Sequence, residues 1–307
     1  MKTKKLRDAT YRNTPVFFLF LLPALIAFFI VIIIPFFIGI FYSFTDWTQI
    51  ITGSNKFIGF QNYTAIFADI TFLHSIFVTT LYAVLIVFSV NFFAFFMATL
   101  VTQKHKFTGL YRAGFFLPYL IGGIILGYIW QFIFNNAIPA FGGAIGFQWL
   151  QENLFLANRW LALMAYVTVG TWQYAGYIMM IYIAAIQGVP DNIIEAAEID
   201  GANYGHVLRH IQLPLIAPAF TVTTFLTLTT SFKMFDVNYA LNAGGPSAMF
   251  MGRALASNEF LALHIYNTAF SFRRIAEGQA KAVVFFVIIA VFGLIQVYIN
   301  KKKEIEM

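Results

Sequence analysis

The stretch VFFLFLLPALIAFFIVIIIPFFIGIFY, Val16 to Tyr42, decides the fold class. It contains no Asp, Glu, Lys or Arg and is longer than the roughly 20 apolar residues that a helix needs to cross a hydrocarbon core of about 30 Å. Five further charge-free runs follow it: Ser75 to Val101, Ala113 to Phe134, Trp160 to Gln187, Leu213 to Phe232 and Ala282 to Ile299. The composition agrees, with 60% apolar and 10% charged residues, where a soluble domain carries about 25% charged. The 38 phenylalanines exceed what one soluble core of this size buries, so they face lipid or neighbouring helices. These observations predict an all-α polytopic membrane protein with six transmembrane helices.

A basic leader (Lys2, Lys4, Lys5, Arg7, Arg12) precedes the first run. That run is about twice the usual 7 to 15 residues of a signal-peptide apolar region and has no small-residue cleavage pattern, so it reads as an uncleaved first helix. With the N-terminus inside, 12 of the 19 basic residues fall on the inner side, among them Lys104, Lys106, Arg112, Arg209 and Lys301 to Lys303. Lys56, Arg159, Lys233, Arg253, Arg273, Arg274 and Lys281 fall outside. The bias places both termini in the cytoplasm of a bacterial-type cell membrane. The net charge of +6 therefore signals membrane anchoring rather than nucleic acid. The predicted organisation is a leader over 1–15, one membrane domain over 16–300 and a cytoplasmic tail over 301–307.

Within that pattern the inner loop 188–212 is an exception, because Asp191, Glu195, Glu198 and Asp200 face only Arg209 among fully charged residues. Topology gives an acidic cytoplasmic loop no use. Asn192 with Glu195 three residues on suggests a capping box, and Gly201 supplies a stop, which predicts a helix of about two turns. Asn203 then caps a second short helix through His206 and Arg209. On the first helix Ile193, Ala196 and Ala197 share a face, while Glu195 and Glu198 project together. Two readings stand on the residues alone: a docking element whose carboxylate pairs with a partner's Arg, or a plain soluble hairpin closed by a cap.

This loop resembles the cytoplasmic signature of binding-protein-dependent ABC importer permeases. Glu195-Ala196-Ala197, Asp200-Gly201-Ala202, Ile211, Leu213-Pro214 and Pro218 stand where that pattern asks, and Leu208 takes a place where Phe is frequent. Tyr42-Ser43-Phe44-Thr45, Phe57-Ile58-Gly59-Phe60-Gln61-Asn62-Tyr63, Phe116-Leu117-Pro118, Phe232-Lys233-Met234-Phe235-Asp236 and Gly244-Gly245-Pro246 are similar to the carbohydrate branch, specifically the first of its two permease types, found in maltose and multiple-sugar transporters. Asn242 departs from the usual Thr before Gly-Gly-Pro. The resemblance runs from about Tyr42 to the last span and implies a type I importer transmembrane domain. It implies an ATPase-docking set of Glu195, Ala196, Ala197, Asp200, Gly201, Ala202, Leu213 and Pro214. It also implies a second homologous permease, two ATPase subunits that hold ATP and magnesium, an extracytoplasmic solute-binding protein and a sugar substrate. ATP-driven closure of the ATPases then moves the coupling helices and turns the cavity outward.

The residues speak to energy and substrate independently. Spans without carboxylates or Lys leave little for proton or ion coupling, and no Lys follows a Gly, so the end of a P-loop is absent. Without cysteine there is no thiol nucleophile or disulfide. The chain is expected to perform no covalent chemistry and to bind no cofactor or metal itself. For an uncharged, hydroxyl-rich solute, neutral polar groups and aromatic faces are needed. Asn91, Trp130, Gln131, Trp172, Gln173, Tyr174, Thr223, Thr227 and Thr230 are the candidates, each with an alternative role in helix packing or the interfacial belt. His206 and His210 have the spacing of two zinc ligands on a helix but lack a further ligand set, and Arg273 and Arg274 suit membrane-edge anchoring. Other classes stay open: a glycerol-phosphate-like polyol importer, an ion-coupled secondary carrier, or a membrane enzyme built on the carboxylates and histidines of loop 188–212.

Overall fold

The computed structural model describes residues 16–48, 56–103 and 107–301, with backbone only at Lys301. The leader, Lys104, Lys106 and the residues after Lys301 lie outside the described residues. Five helices are long and apolar enough to cross a membrane, or six if one bent pair counts as a single span. They are α1 (Val16–Tyr42), α3 (Ile70–Val101), α5 (Gly123–Ala144), α6 (Arg159–Gln187) and α12 (Ile275–Lys301). Between α1 and α3 lies the short α2 (Gln61–Ala68), and α4 (Thr108–Phe116) precedes α5. The bent pair is α8 (Tyr204–Leu215) and α9 (Ala217–Phe232), meeting at 67°. Loop helix α7 (Asp191–Ile199) precedes this pair, and α10 (Asp236–Asn242) and α11 (Leu261–Tyr266) follow it.

Proline sets the local geometry of three spans. Each lacks an N–H and presses on the carbonyl four residues back, and a π turn absorbs the conflict. The π turns Phe29–Ile33, Ile133–Ala137 and Leu208–Gln212 each end two residues before a proline, namely Pro35, Pro139 and Pro214.

Three expected spans need correction, and the first is Leu213 to Phe232, which bends by 67° at Ile216 so that Leu213–Leu215 belongs to α8 and only Ala217–Phe232 forms α9. The run Ala113 to Phe134 is not one helix: Leu117–Leu120, with Pro118, tightens to a 3₁₀ turn, and Ile121 and Gly122 are extended before α5 begins. Freedom from charge does not distinguish a continuous helix from two pieces, and here Pro118 and the Gly122-Gly123 pair break it. The Ile121 carbonyl exposed by the break accepts from Gln173 Nε2 at 3.2 Å, as backbone at membrane depth requires. The last helix starts at Ile275 rather than Ala282, so it includes Glu277 and Lys281. Lys281 is buried, with its Nζ 3.0 Å from Glu277 Oε1 and 3.2 Å from Thr268 Oγ1. An i,i+4 pair of this kind lets charged residues continue a helix.

The chain divides into two compact units, residues 1–66 with 268–283, and residues 67–267 with 284–307. Within the first, the motifs after α1 close on each other. Asn62 Nδ2 donates to the Ser43 and Thr45 carbonyls at 2.8 Å each, Ser43 Oγ meets Tyr63 OH at 2.7 Å, and Phe44 packs on Phe57, Phe60 and Tyr63. Within the second, α6 is the central helix, packed on α3, α4 and α9. Its small residues Ala162, Ala165, Gly170, Ala175 and Gly176 permit close approach, and Asn158 caps it by accepting from Trp160 N at 2.9 Å.

The chain is not purely helical. Strands β1 (Ser247–Phe250) and β2 (Arg253–Ala256) form an antiparallel hairpin. Met251 and Gly252 take φ of 46° and 77°, the two-residue turn whose twist matches the strands. Before it, Asn242 holds the Gly-Gly-Pro turn, accepting from Tyr166 OH and donating to Gly245 O at 2.9 Å. The departure from Thr at this position thus carries a structural role that an amide, with both donor and acceptor, can fill.

Candidate functional site

Helix α7 begins two residues earlier than the capping-box reading expects. Pro190 is the extended residue at its N-cap, Asp191 is the first helical residue, and no side chain caps the end. Pro190 has its φ preset and no N–H to satisfy, and Asp191 places negative charge in the first turn, where the helix dipole favours it. Asn192 therefore lies inside the helix and makes no box with Glu195. The C-terminal expectation matches: Gly201 takes φ +88°, Ala202 N donates to Ala197 O at 2.9 Å and Gly201 N to Glu198 O at 3.0 Å, a Schellman stop. Asn203 accepts from His206 N at 2.9 Å and caps α8.

The two faces of α7 differ. Ile194 and Ala197 are half-buried, and Ile194 packs against the core. The other face is open: Glu195, Ala196 and Asp200 are exposed, Ile193 is 38% exposed and Ile199 86% exposed. Glu195 and Glu198 have no side-chain hydrogen bond or ion pair with any described residue. Gly201 is exposed, whereas Ala202, Leu213 and Pro214 are half-buried, Leu213 being packed on the core as an anchor. The shared face expected for Ile193, Ala196 and Ala197 is thus split, with Ala197 turned inward. His206 and His210 stack at 4.2 Å, and no metal-binding group of three His, Asp or Glu occurs among the described residues.

The nine candidates for a solute path separate into groups. Asn91, Thr223 and Thr227 are tied to one another through Tyr182. Tyr182 OH donates to Asn91 Oδ1 and accepts from Thr223 Oγ1, both at 2.7 Å, and Asn91 Nδ2 donates to Thr227 Oγ1 at 3.0 Å. Thr227 Oγ1 also donates to the Thr223 carbonyl. This network joins α3, α6 and α9. Tyr182→Phe removes two of its bonds and is expected to cost about 1 kcal/mol, given an average of about 0.6 kcal/mol for one interhelical bond in a membrane. Thermal unfolding in detergent measures that loss. A fall in uptake out of proportion to it indicates a solute contact instead.

Gln173, Tyr174 and Thr230 come together around two adjoining cavities of about 270 and 260 Å³, which share Tyr174, Thr230 and Met234. Tyr119 and Tyr177, stacked at 4.5 Å, extend the aromatic wall of the first. Sequence reading missed these two tyrosines, since Tyr119 reaches the site only through the break at Ile121. It also missed Lys233 and Asp236 at the second cavity. Trp172 lies elsewhere, against an apolar cavity of about 820 Å³ lined also by Phe93 and Phe115, with Trp130 edge-on at 5.7 Å. Gln131 Nε2 is committed to Leu241 O of α10 at 2.8 Å.

Residues 103–305 match the family described as binding-protein-dependent transport system inner membrane component. The chain is 43% identical over 97% of its length and 98% of the relative's to the probable starch degradation products transport system permease protein AmyD of Thermoanaerobacterium thermosulfurigenes. It is 30% identical to the multiple sugar-binding transport system permease protein MsmF of Streptococcus mutans, covering 88% and 90% of the two chains. A chain of a bacterial ABC transporter involved in import of the acidic polysaccharide alginate superposes with a TM-score of 0.78 at 20% identity, covering 97% and 99% of the two chains.

Proposed function

The chain belongs to the binding-protein-dependent transport system inner membrane component family, and from that premise we propose that it forms half of the translocation pathway for a sugar. It is a multi-pass membrane protein and a transport subunit, not an enzyme. On this reading a solute-binding protein delivers sugar to the extracytoplasmic side. A second homologous permease completes the path, and two ATPase subunits carrying ATP and magnesium dock on the cytoplasmic side, where both termini lie.

The observation that carries the reading is the open face of α7. An exposed isoleucine beside unpartnered carboxylates on a helix anchored by Ile194 is what a docking element needs: apolar area to bury and a charge to pair with an Arg across the contact. The relatives named for starch products and multiple sugars support a sugar as the solute, as do the tyrosine walls of the two adjoining cavities. The only Asp, Glu, Lys or Arg side chains described inside α12 are Glu277 and Lys281, and they neutralise each other. That arrangement favours energy supplied by the ATPases over ion coupling.

Co-reconstitution of this chain with the second permease, the ATPases and the binding protein is expected to give uptake of labelled maltose only when ATP is present inside the ATPase-facing compartment. Uptake by the chain alone under an ion gradient contradicts the reading.

A further inference from the structure

Around the 260 Å³ cavity, one amide oxygen and two charged side chains have no hydrogen-bond or ion-pair partner among the described residues. Gln173 is only 5% exposed; its Nε2 is committed to Ile121 O, and its Oε1 is buried without a hydrogen bond. Lys233 directly follows α9 and Asp236 opens α10, and both line the same cavity. Neither forms an ion pair or side-chain hydrogen bond with any described residue.

The frame behind them is rigid. Helix α10 buries Val237, Asn238, Ala240 and Leu241, and Asn238 is bonded to Asn258 O and Phe260 N at 2.9 and 3.0 Å. Gly123 lets Asp236 sit tight against α5, since a Cβ there would lie 2.7 Å from Asp236 Cβ. Lys233 and Asp236 are themselves exposed, and charged groups that line a cavity and are left unpaired are available to a molecule that enters it.

We propose that Asp236, Lys233 and Gln173 Oε1 form a hydrogen-bonding clamp in the solute path that selects a neutral, hydroxyl-rich solute over an anionic one. The proposal rests on the sugar-importer reading and refines it. Hydroxyls donate to the carboxylate and to Gln173 Oε1 and accept from the ammonium, so adjacent hydroxyls on one ring satisfy the set. The charged pair sums to zero, so a neutral solute meets no net field. A carboxylate or phosphate gains from Lys233 but meets Asp236 and an amide oxygen in the same small space. Tyr174 supplies the flat face for the ring.

The test uses the complex of both permeases and the ATPases in nanodiscs, without binding protein, and measures direct binding of labelled methyl α-glucoside and of glucuronate. The parent complex is expected to prefer the glucoside at least tenfold. Asp236→Asn is expected to weaken glucoside binding about tenfold, the scale of one charge-assisted bond, and to narrow or reverse the preference. Lys233→Gln is expected to weaken the glucoside as well while keeping the preference. Unchanged thermal unfolding and ATPase association show that the variants fold. The clamp is refuted if the parent shows no binding up to millimolar solute, or if folded Asp236→Asn leaves both affinities unaltered. Sugar uptake by the complete reconstituted system separates the two claims: its presence with a silent Asp236→Asn defeats the clamp alone, and its absence defeats the sugar reading.

Discussion

Glu195→Ala is expected to abolish ATP-driven uptake while leaving the chain's own stability unchanged. The carboxylate has no partner among the described residues, so its removal costs the isolated chain nothing. At a docked interface the same change leaves a partner's cation buried and unpaired, a loss of about 2 kcal/mol or more, which is at least roughly thirtyfold in association. Co-purification of the ATPases and the ratio of ATP hydrolysed to solute moved both report it, and solute binding by the external protein stays constant. Gly201→Ala should move the same readouts less: its φ of +88° costs an L-residue about 1 to 2 kcal/mol, with no atom within 4 Å of the added Cβ. Normal uptake together with normal ATPase recovery for Glu195→Ala defeats the docking assignment.

Gly176→Ala is expected to be the most damaging single-methyl change in the transmembrane core. A Cβ there would lie 1.7 Å from the Phe115 carbonyl oxygen and 2.4 Å from its carbon. Both are backbone atoms, so relief requires α4 to separate from α6, at a cost of about 3 kcal/mol or more. Gly170→Ala is the control on the same helix. Its Cβ meets Tyr82 OH at 2.7 Å and Ile86 Cδ1 at 2.8 Å, side-chain atoms of the buried core whose shift does not require a helix to move. Melting in detergent should fall several-fold further for Gly176→Ala than for Gly170→Ala. Equal melting temperatures for the two variants contradict the account of how α6 is seated.

The parts of the site that were legible in sequence are those set by local chemistry. Gly201 was readable as a stop because a positive φ is nearly a glycine monopoly, and Asn203 as a cap because its side chain meets its own downstream N–H. The start of α7 was misread because two local rules competed: Asn192 with Glu195 suggests a box, whereas Pro190 followed by Asp191 starts the helix two residues earlier. The solute path was legible only as a set of residue types. Asn91, Thr223 and Thr230 look alike in sequence as neutral polar positions in spans. Yet the first two spend their bonds on Tyr182, and the third faces a cavity.

By itself the sequence determined that this chain crosses a membrane several times as helices and that one loop, 188–212, concentrates acidic residues and ends its first helix at Gly201. Burial cost in hydrocarbon and the φ demands of Gly and Pro act residue by residue, and a sequence displays them directly. Only the tertiary structure decided that the third charge-free run breaks at Ile121, that Glu277 and Lys281 are carried into the last helix as a buried pair, and that Lys233 and Asp236 face a cavity without partners. The Ile121 carbonyl is met by Gln173 of α6, and Lys281 by Thr268 as well as Glu277, and distances between segments far apart in the chain are settled only when the helices pack.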